Sequence, residues 1–291
     1  MGEFVYLVPL VDVNWVQFAP MDAKKGYLAE PPPVEQCAEE VDRCVDEFRN
    51  LSDGKVVYSV HSGTYCRRAF YEEPFLSHYR RAIAAGGEIC LHTHEEIAGK
   101  GTRNAEQDHM KRMILDRNAD LNAAGIEATS YRGGHFAYMS YLTPFLESLD
   151  VLIDFSAAPG FNQPAWDAVW TGAPFSAFYL NRANHLAAPR NGETSKVLEI
   201  PLGVDGIGSE PVNQLYTDES TLEDLKRVWA TIRGRAAASG QPQFVHLLFH
   251  SSSMGRPDVL ERFRRFMDHV AKNGARFCNP TEAKAAFDAN R

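Results

Sequence analysis

The sequence predicts one α/β domain, barrel-like or doubly wound, with its functional face at the strand ends. Three observations carry this. Short apolar, β-branched runs alternate with helical patterns along the chain. The runs are as apolar as strands buried on both faces. Several of them end abruptly in clusters of His, Asp, Asn or Arg.

Residues 4–12 (FVYLVPLVD) read as the first buried strand. In 34–51, Val34, Cys37, Val41, Cys44, Val45 and Phe48 recur at helical spacing. Asp53-Gly54 marks a turn before the strand 55–60 (KVVYSV). A helix near 74–85 leads through Gly86-Gly87 to a strand at 88–91. Residues 105–123 read as a helix with Gly125 as its C-terminal cap. Short strands are expected at 127–132 and 150–154. The span 158–196 is rich in Pro, Gly, Asn and aromatics, has weak periodicity, and reads as a long functional loop insertion.

The strand 197–200 follows, then a helix to about 238 opened by a Ser220/Glu223 capping box. Residues 243–249 (QFVHLLF) read as a strand. The helix 258–272 gathers Val259, Leu260, Phe263, Phe266, Met267 and Val270 on one face. Asn279-Pro280-Thr281-Glu282 caps the last helix. With no repeat, linker or low-complexity tract, 1–291 is expected to be a single domain.

The bulk properties narrow the classes. A net charge of −8, from 30 basic and 38 acidic residues, argues mildly against a nucleic-acid binder, and local patches can still differ from the mean. No run approaches the ~18 apolar residues of a membrane span, and the apolar start at 4–11 lacks the basic flank of a signal peptide. The 5 cysteines (37, 44, 66, 90, 278) show no CxxC spacing, which points to reduced thiols and a cytoplasmic location.

Four polar clusters carry the chemistry. Asp12-Val13-Asn14 closes the first strand, and Asp12 reads as a general base or a metal ligand. His92-Thr93-His94-Glu95-Glu96 closes the strand from Glu88. In extended backbone, His92 and His94 project the same way and suit one metal, with a carboxylate from another strand. Tyr131-Arg132-Gly133-Gly134-His135 offers Arg132 to orient Asp12 through a bidentate pair. His250-Ser251-Ser252 offers His250 as a general acid. His61 ends the second strand and faces the pocket or shapes its wall.

These clusters occur in the order found in the NodB-homology polysaccharide deacetylases, and the resemblance spans about 4–275. Gly87-Glu88-Ile89-Cys90-Leu91-His92-Thr93-His94 resembles the family's G-x-E-I-x-x-H-S/T-x-x-H motif. Residues Tyr131 to His135 resemble its aromatic-Arg segment, Leu247 to Ser252 its Leu-x-His motif, and Asp12 takes the first-motif aspartate position. Trp170-Thr171-Gly172-Ala173-Pro174 and Phe249-His250-Ser251-Ser252 match a divergent branch with H-x-H, W-x-G-A-P and F-H-S-S. Two departures stand out. The usual second histidine falls at Glu96, so a metal would use His94 or Glu96. The usual metal-binding aspartate falls at Val13 or Asn14.

The resemblance implies a distorted NodB-like (β/α)7 barrel and a metal-dependent hydrolase removing an acyl group, N-acetyl above all, from an amino sugar or glycan. Asp12, Arg132 and His250 would be catalytic, and Asn14, His92 and His94 would hold zinc or another first-row metal. His61, His135 and Trp170 would contact a small-molecule or oligosaccharide substrate. Two alternatives stay open: a cyclic amide or imide hydrolase on the same barrel, and a carbohydrate-binding protein without catalysis.

Overall fold

The computed structural model describes residues 4–13, 33–63, 68–97, 101–187, 192–206 and 213–291. Its main sheet is built from β1 (Val5–Val13), β2 (Val57–Gly63), β3 (Glu88–His94), β4 (Ala128–Gly133), β5 (Ile153–Asp154), β6 (Phe178–Asn181), β7 (Thr194–Glu199), β8 (Gln243–His250) and β9 (Ala275–Phe277). The helices are α1 (Val34–Ser52), α2 (Phe75–Ala84), α3 (Gln107–Ala123), α4 (Leu142–Ser148), α5 (Leu222–Ser239), α6 (Pro257–Lys272) and α7 (Pro280–Ala289).

The sheet order is β6-β7-β5-β4-β3-β2-β1-β8, with β9 beside the start of β1. Every neighbouring pair is parallel except β6 with β7. After β7 the chain returns to β8 through a parallel bridge between Leu202 and His246. Leu202 N–H donates to Ala157 and Gly203 N–H to His246. The curled sheet therefore meets its own far edge, as the expected NodB-like barrel requires.

Strand β8 shows why these runs are apolar on both faces. Its outward Phe249 stacks on Phe263 of α6, with centroids 4.5 Å apart, and meets Phe48 of α1 edge-on. Truncating such a ring costs about 3–5 kcal/mol. On the opposite parity, His246 and His250 face inward. His246 is fully buried and its Nδ1 donates to the Ile200 carbonyl. The Asn279 capping box of α7 forms as expected, with Glu282 N–H bonded to Asn279 Oδ1 at 2.9 Å.

Some expectations change. Helix α5 is capped by Thr221, whose hydroxyl accepts from Asp224 N–H at 3.1 Å, not by Ser220 with Glu223. Thr221 has the extended backbone conformation that a cap needs. The span 158–196 is not a bare loop. It contains β6, the start of β7, and a small hairpin joining Asn162–Gln163 to Ala168–Val169. Helix α4 and strand β9 lack a long apolar period and were not legible in the sequence. No helix among the described residues is long and apolar enough to cross a membrane.

Candidate active site

Parallel register sets the site. Asp12 lies beside His250, His61 beside His92, and His92 beside Arg132, so β1, β2, β3, β4 and β8 deliver their polar ends to one rim. Active sites of parallel α/β barrels lie at this C-terminal face. Strand β3 stays extended to His94, which leaves His92 and His94 on the same side of the strand.

The first cluster centres on Asp12, which is 1% exposed. Its Oδ2 lies 3.3 Å from Arg132 Nη1, 3.6 Å from His92 Nε2 and 3.6 Å from His250 Nε2. The Arg132 contact is one-armed rather than the expected bidentate pair. Nη1 also reaches the Gly133 carbonyl at 3.2 Å, and the planar head lies over the Phe136 ring. Asp12 Oδ1 and Arg132 Nε are buried without a hydrogen bond. Two buried groups this polar call for a polar partner.

His92 Nδ1 lies 3.2 Å from the Arg132 carbonyl. The hydrogen-bond network assigns the proton to Nδ1, because a carbonyl only accepts. Arg132 Nη1 lies 3.3 Å from Nδ1 and 3.4 Å from Nε2, over the face of the ring. Burial, followed by the Arg132 charge, drives the His92 pKa well down, so the ring is neutral. A divalent cation placed ~4 Å from that guanidinium would be opposed by about 8 kcal/mol at an effective dielectric of 20.

His250 is backed by Asp218, which the sequence reading missed. Asp218 Oδ2 accepts from His250 Nδ1 at 3.1 Å and from its backbone N–H at 3.2 Å. Ser253 Oγ also donates to Asp218, and Arg262 donates to the Asp218 and Thr217 carbonyls. Burial alone would lower the His250 pKa. The Asp218 hydrogen bond and the charges of Asp218 and Asp12 outweigh it, so the pKa stands above the ordinary value.

The second cluster adjoins the first through the His92 and His94 rings, whose centroids are 4.5 Å apart. His94 Nδ1 lies 3.0 Å from Glu96 Oε2, and His135 Nε2 lies 3.8 Å from Glu96 Oε1. One ligand atom from each of His94, Glu96 and His135 falls within 4.8 Å of the others. Burial pushes the Glu96 carboxyl up and the His94 imidazole well down. Glu95 points the other way and pairs with His109 at 2.7 Å. His135 and Phe136 both have positive φ, 49° and 64°, a conformation rare for bulky residues and concentrated at functional sites.

Two expected site residues take other places. Trp170 is 1% exposed, donates its indole N–H to the Phe136 carbonyl at 2.7 Å and packs on Tyr138, so it offers no face to a sugar. Trp166, half-buried, stacks on His135 at 5.1 Å instead. Asp167 holds that turn by accepting from Thr102 and Asn104. His61 is buried edge-on behind His94, at 5.2 Å, and is a wall rather than a contact surface. Asn14 lies outside the described residues.

A buried carboxyl pair, Asp154 on β5 and Glu199 on β7, was also not foreseen. Burial raises both. Ser156 Oγ donates to Asp154 at 2.7 Å and accepts from Gly133 N–H at 2.9 Å, which fixes the backbone next to Arg132.

No protein-family model matches the sequence, and no curated protein matches it. Solved structures do match across nearly the whole chain. A Mycobacterium smegmatis protein described as a polysaccharide deacetylase superposes with TM-score 0.59 at 15% identity, covering 98% of this chain and 91% of its own. The chain has the NodB-like barrel fold. A PuuE allantoinase superposes with TM-score 0.60 at 15% identity, covering 100% of this chain and 92% of its own. A Pseudomonas aeruginosa PAO1 protein described as a polysaccharide deacetylase gives TM-score 0.59 at 13% identity over 97% and 90%. Fold likeness at this distance leaves the reaction to be argued from the site.

Proposed function

We propose that the protein is a cytoplasmic hydrolase that removes an acyl group, N-acetyl above all, from the nitrogen of an amino sugar or short glycan. The observation that supports it is the facing pair at the barrel rim: the Asp12 carboxylate 3.6 Å from His250, which is itself oriented by Asp218. Amide hydrolysis needs one group that takes a proton from water and one that gives a proton to the leaving nitrogen.

Asp12 acts as the base. It takes a proton from water as the oxygen bonds to the acyl carbon, and Arg132, 3.3 Å away, holds the carboxylate in place. His250, held protonated by Asp218, gives its proton to the nitrogen as the C–N bond breaks. The products are a carboxylic acid and an amine. A divalent metal, zinc by the nitrogen and carboxylate donors around His94, supplies polarisation of the acyl carbonyl when bound. Trp166, stacked on the His135 ring, is the aromatic surface that would meet a sugar face. The chain-wide net charge of −8 and buried thiols at Cys44, Cys90 and Cys278 support a reducing compartment and a neutral sugar rather than nucleic acid or membrane as partner.

A second reading, hydrolysis of a cyclic amide, is favoured by the fold likeness to allantoinase. Product analysis separates the two. Acetate and a free amine from N-acetylated amino-sugar oligomers support the first. Ring opening of a cyclic amide, with no acetate from any acetylated sugar, would replace it by the second.

A further inference from the structure

We propose that this chain holds a divalent first-row metal, zinc by preference, between His94, Glu96 and His135, one step outward from the Asp12–His92 cluster. The use of that metal in catalysis rests on the hydrolase reading. The binding does not.

Three observations converge on it. First, the inner position is already filled. Arg132 Nη1 lies 3.3 Å from Asp12 Oδ2 and 3.3 and 3.4 Å from the two ring nitrogens of His92, so a permanent cation already sits against that ring and that carboxylate. Second, Glu96 is 1% exposed, and among the described residues its ion-pair contacts are imidazoles alone. A buried carboxylate needs a positive partner or a proton. A dication gives it one without charging either ring.

Third, the geometry is nearly that of a site. Donors around tetrahedral zinc at ~2.1 Å lie about 3.4 Å apart. The three ligand atoms here already sit within 4.8 Å of one another, so closure needs only a small contraction. The surrounding parts hold the ligands in place. Left-handed backbone at His135 turns its ring toward Glu96, Trp166 stacks on the outer face of that ring, and His61 backs His94. His135, with its side chain 30% exposed, leaves the solvent side open for a fourth donor. Two imidazoles and one carboxylate with an open position are a zinc donor set.

The test is titration of chelator-stripped protein with zinc chloride by calorimetry, with cobalt chloride and visible spectra in parallel. One equivalent is expected, with tetrahedral cobalt bands. Glu96→Gln and His135→Asn should each weaken binding at least 100-fold, while His92→Asn keeps it within a few-fold. Asn tolerates the left-handed backbone at 135, so that variant reports ligation even if Glu96→Gln fails to fold. No stoichiometric metal in the wild type, or a metal lost in His92→Asn but kept in His135→Asn, overturns the assignment. Hydrolysis that persists in metal-free protein would leave the proposed function standing, and a bound metal without hydrolysis would leave this site standing.

Discussion

Gly134 lies directly against the His94 ring: a Cβ at position 134 would stand 2.3 Å from Nδ1 and 2.6 Å from Cε1. Nothing in the Tyr131–His135 segment says why position 134 is a glycine. The geometry gives the reason, because any side chain here displaces a residue of the site. Gly134→Ala is expected to push His94 out of line with Glu96. Hydrolysis should fall at least tenfold and stability by about 1–3 kcal/mol, the usual cost of overpacking. Steady-state kinetics with a thermal melt check both. Unchanged kinetics would show that His94 has no role.

The His250–Asp218 pair predicts a pH response. Burial lowers the His250 pKa, and Asp218 with Asp12 more than restores it. As the general acid, His250 must be protonated, so activity falls as pH rises through that raised value. In Asp218→Asn the burial effect is left less opposed, and the alkaline limb of kcat/KM should move to lower pH. The stability linkage has the same sign. The contribution of protonated His250 is fully present below the unfolded value of about 6.5 and is lost as pH rises through the folded one. A limb that does not move in Asp218→Asn assigns it to another group.

Trp166 and Trp170 separate recognition from structure. Trp170→Ala should cost about 3–5 kcal/mol, since it empties a fully buried site. Trp170→Phe should cost less, chiefly the bond to the Phe136 carbonyl, about 1–3 kcal/mol for the acceptor left alone. Trp166→Ala should cost less stability than Trp170→Ala and raise KM severalfold for a glycan. A raised KM in Trp170→Phe with none in Trp166→Ala would reverse the roles.

Ser156 supports the Arg132 segment from behind, through Gly133 N–H. Ser156→Ala removes an acceptor from a buried backbone donor and should cost about 1–3 kcal/mol. A turnover loss larger than the KM change would show that the Arg132 position matters to the chemistry. Chemical-denaturant melts with kinetics measure both.

The barrel was legible because its strands are buried on both faces and so are written as unbroken apolar runs. The sudden change to His, Asp or Arg at 12, 92, 132 and 250 marks their C-terminal ends. Asp218 was invisible for the opposite reason. It sits in a turn after an isolated bridge between Tyr216 and Leu248, with no apolar strand to announce it. The two tryptophans are four residues apart in a segment with no period, and nothing local says which one turns inward. Glu96 was visible as a misplaced carboxylate. Its meeting with His135 depends on two consecutive left-handed residues that no residue type in Gly134-His135-Phe136 advertises.

The most direct test of the central claim is acetate release from N-acetylated amino-sugar oligomers by Asp12→Asn and His250→Ala, each checked for an intact fold. The acid–base account predicts that both lose about 100-fold or more in kcat while remaining folded. Wild-type turnover in either folded variant would contradict it.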